Sequence, residues 1–152
     1  NQMLQQLAAS YEINAHRYRM RIQIRDQNPN LVIDADPIKL GRAFSDLITN
    51  AIKYGNAGRH VYLSAKSINA KVVRITVAND GHEIPPAIVH KIFGRFYRGE
   101  YSRNQRTGGS GLGLAIVHRI ISLHHGQIRV KSNRHLTRFI VDLPIQYRKQ
   151  NA

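Results

Sequence analysis

The chain of 152 residues predicts an α+β fold: a two-layer sandwich of a mixed, mostly antiparallel sheet with helices on one face. Three observations carry this reading. Short alternating apolar runs and longer runs of three-and-four spacing follow one another in the order β-β-α-β-β-α-loop-α-β-β, after an opening helix. Hydrophobic residues make up 42% of the chain, enough to build a core. The long helical segments carry one apolar stripe each, so each has one face to bury.

The elements follow in order. Met3, Leu4, Leu7, Ala8, Tyr11 and Ala15 lie near helical spacing and predict a helix over residues 2–15, read as a connector. Met20, Ile22 and Ile24 alternate with Arg21, Gln23 and Arg25, as in a strand. Asn28-Pro29-Asn30 marks a turn, and Leu31-Val32-Ile33 begins a second short strand. Asp36 stands as an N-cap before Pro37, and the helix they open carries Leu40, Ala43, Phe44, Leu47, Ile48, Ala51 and Ile52 to Tyr54. Gly55 to Gly58 ends it. Strands are expected over 60–66 and 72–79, close enough for a hairpin. Pro85-Pro86 opens a short helix. Residues 98–110 are polar and glycine-containing, a loop long enough to carry function. A second long helix over 112–123 and strands over 127–131 and 137–143 complete the layer.

Lys and Arg number 23 against 9 Asp and Glu, a formal net charge of +14, which points to an anionic partner or a basic solvated surface. The positive residues are dispersed, and no block of them resembles a nucleic-acid-binding arm. The chain has no cysteine, which excludes disulfides, thiol catalysis and Cys-ligated zinc. No apolar run reaches the roughly 18 residues of a membrane span.

Four local signals bear on chemistry. Asp46, Asn50, Lys53 and Tyr54 line one edge of a helix, where oxygens suit a hard cation, a lysine suits phosphate and a ring suits a base. Asn79-Asp80-Gly81-His82-Glu83-Ile84-Pro85 follows a strand end. Ile92-Phe93-Gly94-Arg95-Phe96-Tyr97-Arg98 places three aromatics beside arginines. Gly108-Gly109-Ser110-Gly111-Leu112-Gly113-Leu114 opens a helix with bare backbone N–H groups suited to phosphate. Each alone has an ordinary structural explanation: a wet helix face, a turn, core aromatics, a loop. Their order and spacing together are specific.

In that order the four signals resemble the N box, first glycine box, F box and second glycine box of the catalytic ATP-binding domain of bacterial sensor histidine kinases. The likeness runs from about Met20 to Pro144. It implies the Bergerat ATP-binding fold, with ATP and Mg²⁺ as cofactors. Asn50 and Asp46 would be the metal ligands, and Asp46, Asn50 and Lys53 the catalytic set. Lys53 would contact phosphate and Tyr54 the adenine side. The segment from Arg98 to Ser110 would be the lid, with Arg98, Arg103 or Arg106 near the phosphates. Gly109, Gly111 and Gly113 would let the backbone approach them, and Gly81, Ile84, Phe96 and Leu112 would complete the nucleotide contacts.

The resemblance further implies γ-phosphate donation to a histidine on a separate dimerisation domain, a response-regulator receiver domain as downstream partner, and a homodimeric membrane parent whose catalytic part lies on the cytoplasmic side. The organisation expected is a linker helix over 1–19, the catalytic domain over 20–147 and a basic tail over 148–152. The fragment itself is expected to be monomeric and without a nucleic-acid partner. Two alternatives stand beside this: an ATP-driven conformational clamp using Asp46 to activate water, and a basic nucleic-acid-binding module with a degenerate pocket.

Three positions depart from the family pattern. Asp46 stands where Asn is usual, and Glu83 where a second glycine is usual. Alternation along the strand puts Asn79, rather than Asp80, on the face of Val73, Ile75 and Val77, in the place of the family's adenine-reading Asp. An Asn carbonyl still accepts a hydrogen bond from adenine, without charge assistance. His82-Glu83 is not read as a phosphoacceptor, because it follows a strand instead of lying on a long helix. Adjacent His124 and His125 point about 100° apart on a helix, which disfavours joint metal ligation.

Overall fold

The computed structural model describes residues 1–25, 31–54, 59–81, 83–89, 92 and 112–146. Four helices, α1 (Gln2–Arg17), α2 (Pro37–Tyr54), α3 (Pro86–Val89) and α4 (Leu112–Leu123), accompany five strands among these residues. The strands are β1 (Arg21–Ile24), β2 (His60–Ser67), β3 (Val72–Asn79), β4 (Gln127–Ser132) and β5 (Thr137–Pro144). They lie in the order β1-β2-β3-β5-β4. β1 pairs with β2 in parallel and the other three pairs are antiparallel, so the sheet is mixed and mostly antiparallel, as the alternation predicts.

Local chemistry explains where the elements begin. The Asp36 carboxylate accepts hydrogen bonds from the Ile38 and Lys39 N–H groups at 3.0 and 3.1 Å, capping α2 one residue ahead of Pro37. In the β2–β3 turn, the Asn69 side-chain oxygen accepts from Lys71 N–H at 2.8 Å. The apolar stripe of α2 (Leu40, Ala43, Phe44, Leu47, Ile48, Ala51, Ile52) is buried along its whole length. It packs on the inner sheet face, where Val61, Leu63, Val73, Val77, Phe139, Val141 and Leu143 are also buried.

The strand expected at Leu31-Val32-Ile33 does not form. These residues run as irregular chain in which Leu31 and Ile33 pack against the core and Val32 is exposed. Leu31 N–H donates to the Asn1 side chain, and Asp34 N–H donates to Ile145 O at 2.8 Å. Two anchors on separate segments satisfy the backbone locally without a ladder, so the alternation reflects packing alone.

Both α1 and α4 end in Schellman motifs. Met20 N–H reaches Ala15 O and Arg19 N–H reaches His16 O; Gly126 N–H reaches Ile121 O and His125 N–H reaches Ser122 O. The left-handed residues are Arg19 (φ 57°) and His125 (φ 61°), side-chain-bearing residues where glycine is usual. Arg19→Gly is expected to raise stability by about 1 kcal/mol, because the folded backbone already has the conformation glycine favours. Chemical denaturation would check this; a variant less stable than the parent would contradict the cost assigned to φ.

Candidate functional site

The described candidate site residues lie on three elements: α2, the end of β3 with the turn after it, and the start of α4. α2 packs across β3 and against α4. Asp46, Asn50 and Lys53 stand on successive turns along one edge of α2, each half-buried. Tyr54 is the last residue of α2.

Asp46 is electrostatically unusual. Its Oδ2 is buried without a hydrogen-bond partner among the described residues, and Arg42 Nε lies 3.8 Å away, one turn earlier. Burial pushes the carboxyl above its ordinary value of 3.8, and the Arg42 guanidinium offsets this only in part. A raised folded-state pKa contributes stability that is present below the unfolded value and lost as pH rises through the folded value. Asp46→Asn is therefore expected to stabilise the ligand-free domain at pH 7 and to flatten its stability between pH 4 and 7. Thermal unfolding across that range reads both; an unchanged slope would show that Asp46 is not the group responsible.

The strand end separates two neighbouring polar residues. Asn79 is 6% exposed, in register with Val61 and Thr137, and belongs to the inner face with Val73, Ile75 and Val77. Its Nδ2 donates to Asp80 O at 2.8 Å. Asp80 turns the other way: its Oδ2 accepts from His60 N–H at 3.3 Å and lies 3.9 Å from His60 Nδ1. Gly81 follows at φ 147°, a conformation that side chains rarely adopt.

The next turn is held by residues that the local motifs do not include. Ile84, 7% exposed, donates its N–H to Ser132 Oγ at 2.8 Å, and Ser132 and Thr137 share a hydroxyl hydrogen bond of 2.7 Å. Thr137 is itself buried and paired with Asn79. Ser132 and Thr137 are thus positioning residues, fastening the turn after β3 to the β4–β5 hairpin. Their only trace in the sequence is a pair of hydroxyls flanking a turn.

His124 has a structural task. It is buried, its Nε2 accepts from Asp36 N–H at 3.1 Å, and its Nδ1 donates to Ile120 O at 2.8 Å. It joins the end of α4 to the cap of α2. Among the described residues, no three His, Asp or Glu side chains converge on a metal-sized space, so a cation here would rely on mixed donors such as Asp46 and Asn50.

Leu112 and Gly113 open α4. Phe96, Arg98, Arg103, Arg106, Gly109 and Gly111 lie outside the described residues, with most of the third signal and the 98–110 loop. The described part offers a buried amide for a heterocycle edge, two oxygen donors one turn apart and a lysine. That donor set fits a purine nucleotide with a hard cation.

Comparisons with known proteins agree with this chemistry. Residues 35–147 match the family described as histidine kinase-, DNA gyrase B-, and HSP90-like ATPase. The sensor histidine kinase CusS of Escherichia coli O6:H1 is 36% identical over 123 residues, 81% of this chain and 25% of CusS. The nucleotide-free catalytic domain of histidine kinase ThkA superposes with a TM-score of 0.84 at 24% identity, over 96% of this chain and 92% of that one. ThkA has also been solved with the response regulator protein TrrA (TM-score 0.79, 23% identity, 95% of this chain and 40% of that one). Full-length ShkA, solved with AMPPNP, superposes at 0.83 with 28% identity, over 96% of this chain and 30% of ShkA. The chain spans about a quarter of the length of the CusS sequence it matches. Among the described residues, no helix is long and apolar enough to cross a membrane.

Proposed function

Because this chain belongs to the histidine kinase-, DNA gyrase B-, and HSP90-like ATPase family, we propose that it is the catalytic part of a two-component sensor kinase, binding Mg²⁺-ATP and presenting the γ-phosphate to a histidine on a separate dimerisation domain. A response-regulator receiver domain is the partner downstream, and the membrane parent holds this part on its cytoplasmic side. The catalytic unit covers 20–147 and the basic tail 148–152. The segment 1–19 links to the dimerisation domain; the burial of Leu4 and Ala15 in α1 suits it to transmit that domain's position to the core.

The observation that carries this reading is the buried Asn79 amide at the end of β3, followed by Gly81, on a strand that α2 packs against. Asn79 Oδ1 accepts from an adenine amino group, and guanine offers a carbonyl at the same place, which Asn79 Oδ1 rejects. Gly81 lets the chain pass close to the base without a side chain, and Ile84 covers its apolar face. Asn50 and Asp46 hold the cation through oxygen, while Lys53 neutralises phosphate charge as a point cation. Tyr54, Leu112 and Gly113, with Phe96, Arg98, Arg103, Arg106, Gly109 and Gly111, complete the nucleotide contacts. Bound Mg²⁺-ATP supplies the transferable phosphoryl group; the side chains contribute positioning and charge neutralisation.

Calorimetric titration tests the reading. One Mg²⁺-ATP is expected per chain, with Mg²⁺-GTP at least about 10-fold weaker because of the mismatched acceptor. Absence of saturable ATP binding would sink it. With radiolabelled ATP, label is expected only on an added dimerisation domain; stable label on this chain would overturn the donor-only role.

A charge change at Asn79 divides two effects. Asn79→Asp is expected to tighten ADP binding through a charge-assisted hydrogen bond, and to lower the melting temperature of the free domain. The stability loss follows because the new oxygen replaces the donor to Asp80 O with a second acceptor in a buried place. Weaker ADP binding by a variant that still folds would remove Asn79 from the adenine edge.

A further inference from the structure

The outer face of the sheet, opposite the helices, concentrates the charge that the nucleotide site does not use. Strand registers align its residues in rows. Tyr62, Ala78, Arg138 and Lys131 form one row, and Ser64, Thr76, Ile140 and Arg129 the next. Arg25 and Lys66 flank them, and together they line an open groove of about 580 Å³ that no other described element covers. Among the described residues, two acids face this side and both are engaged. Asp142 takes two hydrogen bonds from Arg74, at 2.8 and 3.0 Å, with Arg129 Nη2 at 3.9 Å. Asp80 is held by His60.

The remaining cations of this face have no acid partner among the described residues. Lys131 and Arg138 stand directly opposite each other across β4 and β5, an arrangement that costs stability through like-charge repulsion. Neither has a carboxylate within ion-pair distance among the described residues. Arg138 Nε is buried in the groove wall without a hydrogen-bond partner among the described residues. A buried donor left unmade in a positively charged groove is a place for an anion.

We propose that this outer face is a docking surface for an acidic polypeptide segment of a partner protein, its carboxylates received by Arg138, Lys131 and Arg129. The inference is independent of the nucleotide site, which lies on the other face of the sheet. Asp142 shows the chemistry beside the groove: its carboxylate takes two parallel bonds from the guanidinium of Arg74, which lines the groove. Arg129 and Lys131 are two residues apart on β4, about 7 Å by strand geometry, the spacing of alternate carboxylates along an extended peptide.

Other polyanions fit less well. Single-stranded nucleic acid needs aromatic platforms for its bases. Tyr62, the one Phe, Tyr or Trp among the described residues lining the groove, already has Arg25 over its ring at 4.2 Å and His60 stacked at 5.7 Å. A lipid surface asks for a convex face with apolar anchors. Here the floor residues Ala78 and Ile140 are buried, and the exposed large hydrophobics Ile13, Val32, Ile38, Ile68 and Leu123 lie elsewhere.

The test uses this chain with three probes at about 0.15 M salt, where weak surface attraction is screened: a labelled glutamate-rich 12-residue peptide, a single-stranded 12-nucleotide DNA and phosphatidylglycerol vesicles. Lys131→Glu/Arg138→Glu is expected to weaken peptide binding at least about 10-fold. The charge-matched pair Arg17→Glu/Arg119→Glu, on the helical side, should change it less than about twofold. Mg²⁺-ATP titration should be unaltered in both. If the reversal misfolds, Lys131→Gln/Arg138→Gln carries the same comparison. Equal losses in the two pairs, no peptide binding, or tighter binding to DNA or vesicles would each overturn the proposal.

Discussion

Replacing Asn50 with alanine is expected to weaken Mg²⁺-ATP binding by about 100-fold or more, the scale at which loss of a metal-orienting group is felt. The domain should remain folded. Asn50 is half-buried on the polar edge of α2, and alanine is the better helix former. Melting temperature without nucleotide should therefore stay level or rise, so a loss of affinity is attributable to the site. The variant and the parent should converge when Mg²⁺ is chelated, because the lost interaction runs through the cation. Asp46 sharpens the contrast. Its carboxylate, offset only in part by Arg42 at 3.8 Å, repels phosphate when no Mg²⁺ lies between them, so the parent's affinity should depend steeply on Mg²⁺. Equal ADP affinity with and without Mg²⁺ would remove both residues from the metal site.

The second large effect is structural. Gly126→Ala is expected to cost about 3 kcal/mol, the upper end for overpacking, and to lower the melting temperature by roughly 10 °C. A Cβ there would lie 2.5 Å from Asp142 O, 2.7 Å from Leu143 Cδ2 and 3.1 Å from Ile121 Cγ2. The closest obstacle is a backbone carbonyl of β5, which cannot move without the strand. Gly41→Ala is the matching control. Among the described residues nothing lies within 4 Å of its would-be Cβ, and it sits inside α2, so the change should stabilise by about 1 kcal/mol. Two glycine-to-alanine changes of opposite sign would show that contact, not composition, sets the outcome. Similar melting temperatures for both would contradict the packing around Gly126.

Gly126 also marks where reading by local pattern stops. A glycine after a helix suggests the left-handed closing position, yet that conformation belongs to His125 (φ 61°). Glycine is required one residue later, by a strand that arrives 16 residues downstream at Asp142. Ser132 and Thr137 follow the same logic: their hold on Ile84 joins segments about 50 residues apart. The 31–33 segment alternates like a strand but pairs with no strand among the described residues.

By itself the sequence determined what depends on neighbours within a turn or a strand. That includes the Asp36 cap, the buried stripe of α2, the β2–β3 hairpin, the inward face of Asn79 and the four boxes that mark the family. Periods of about 3.6 and of two residues record which face a side chain takes, and burial of apolar area makes that record strong. Tertiary structure alone decided what depends on register and layering. It set Arg138 against Lys131, gathered dispersed cations on one side of the sheet, and bound His124 to the start of α2. The reason is geometric: facing residues on paired strands, and groups meeting across a layer, are joined by hydrogen-bond ladders and packing between distant segments, which leave no period in the chain.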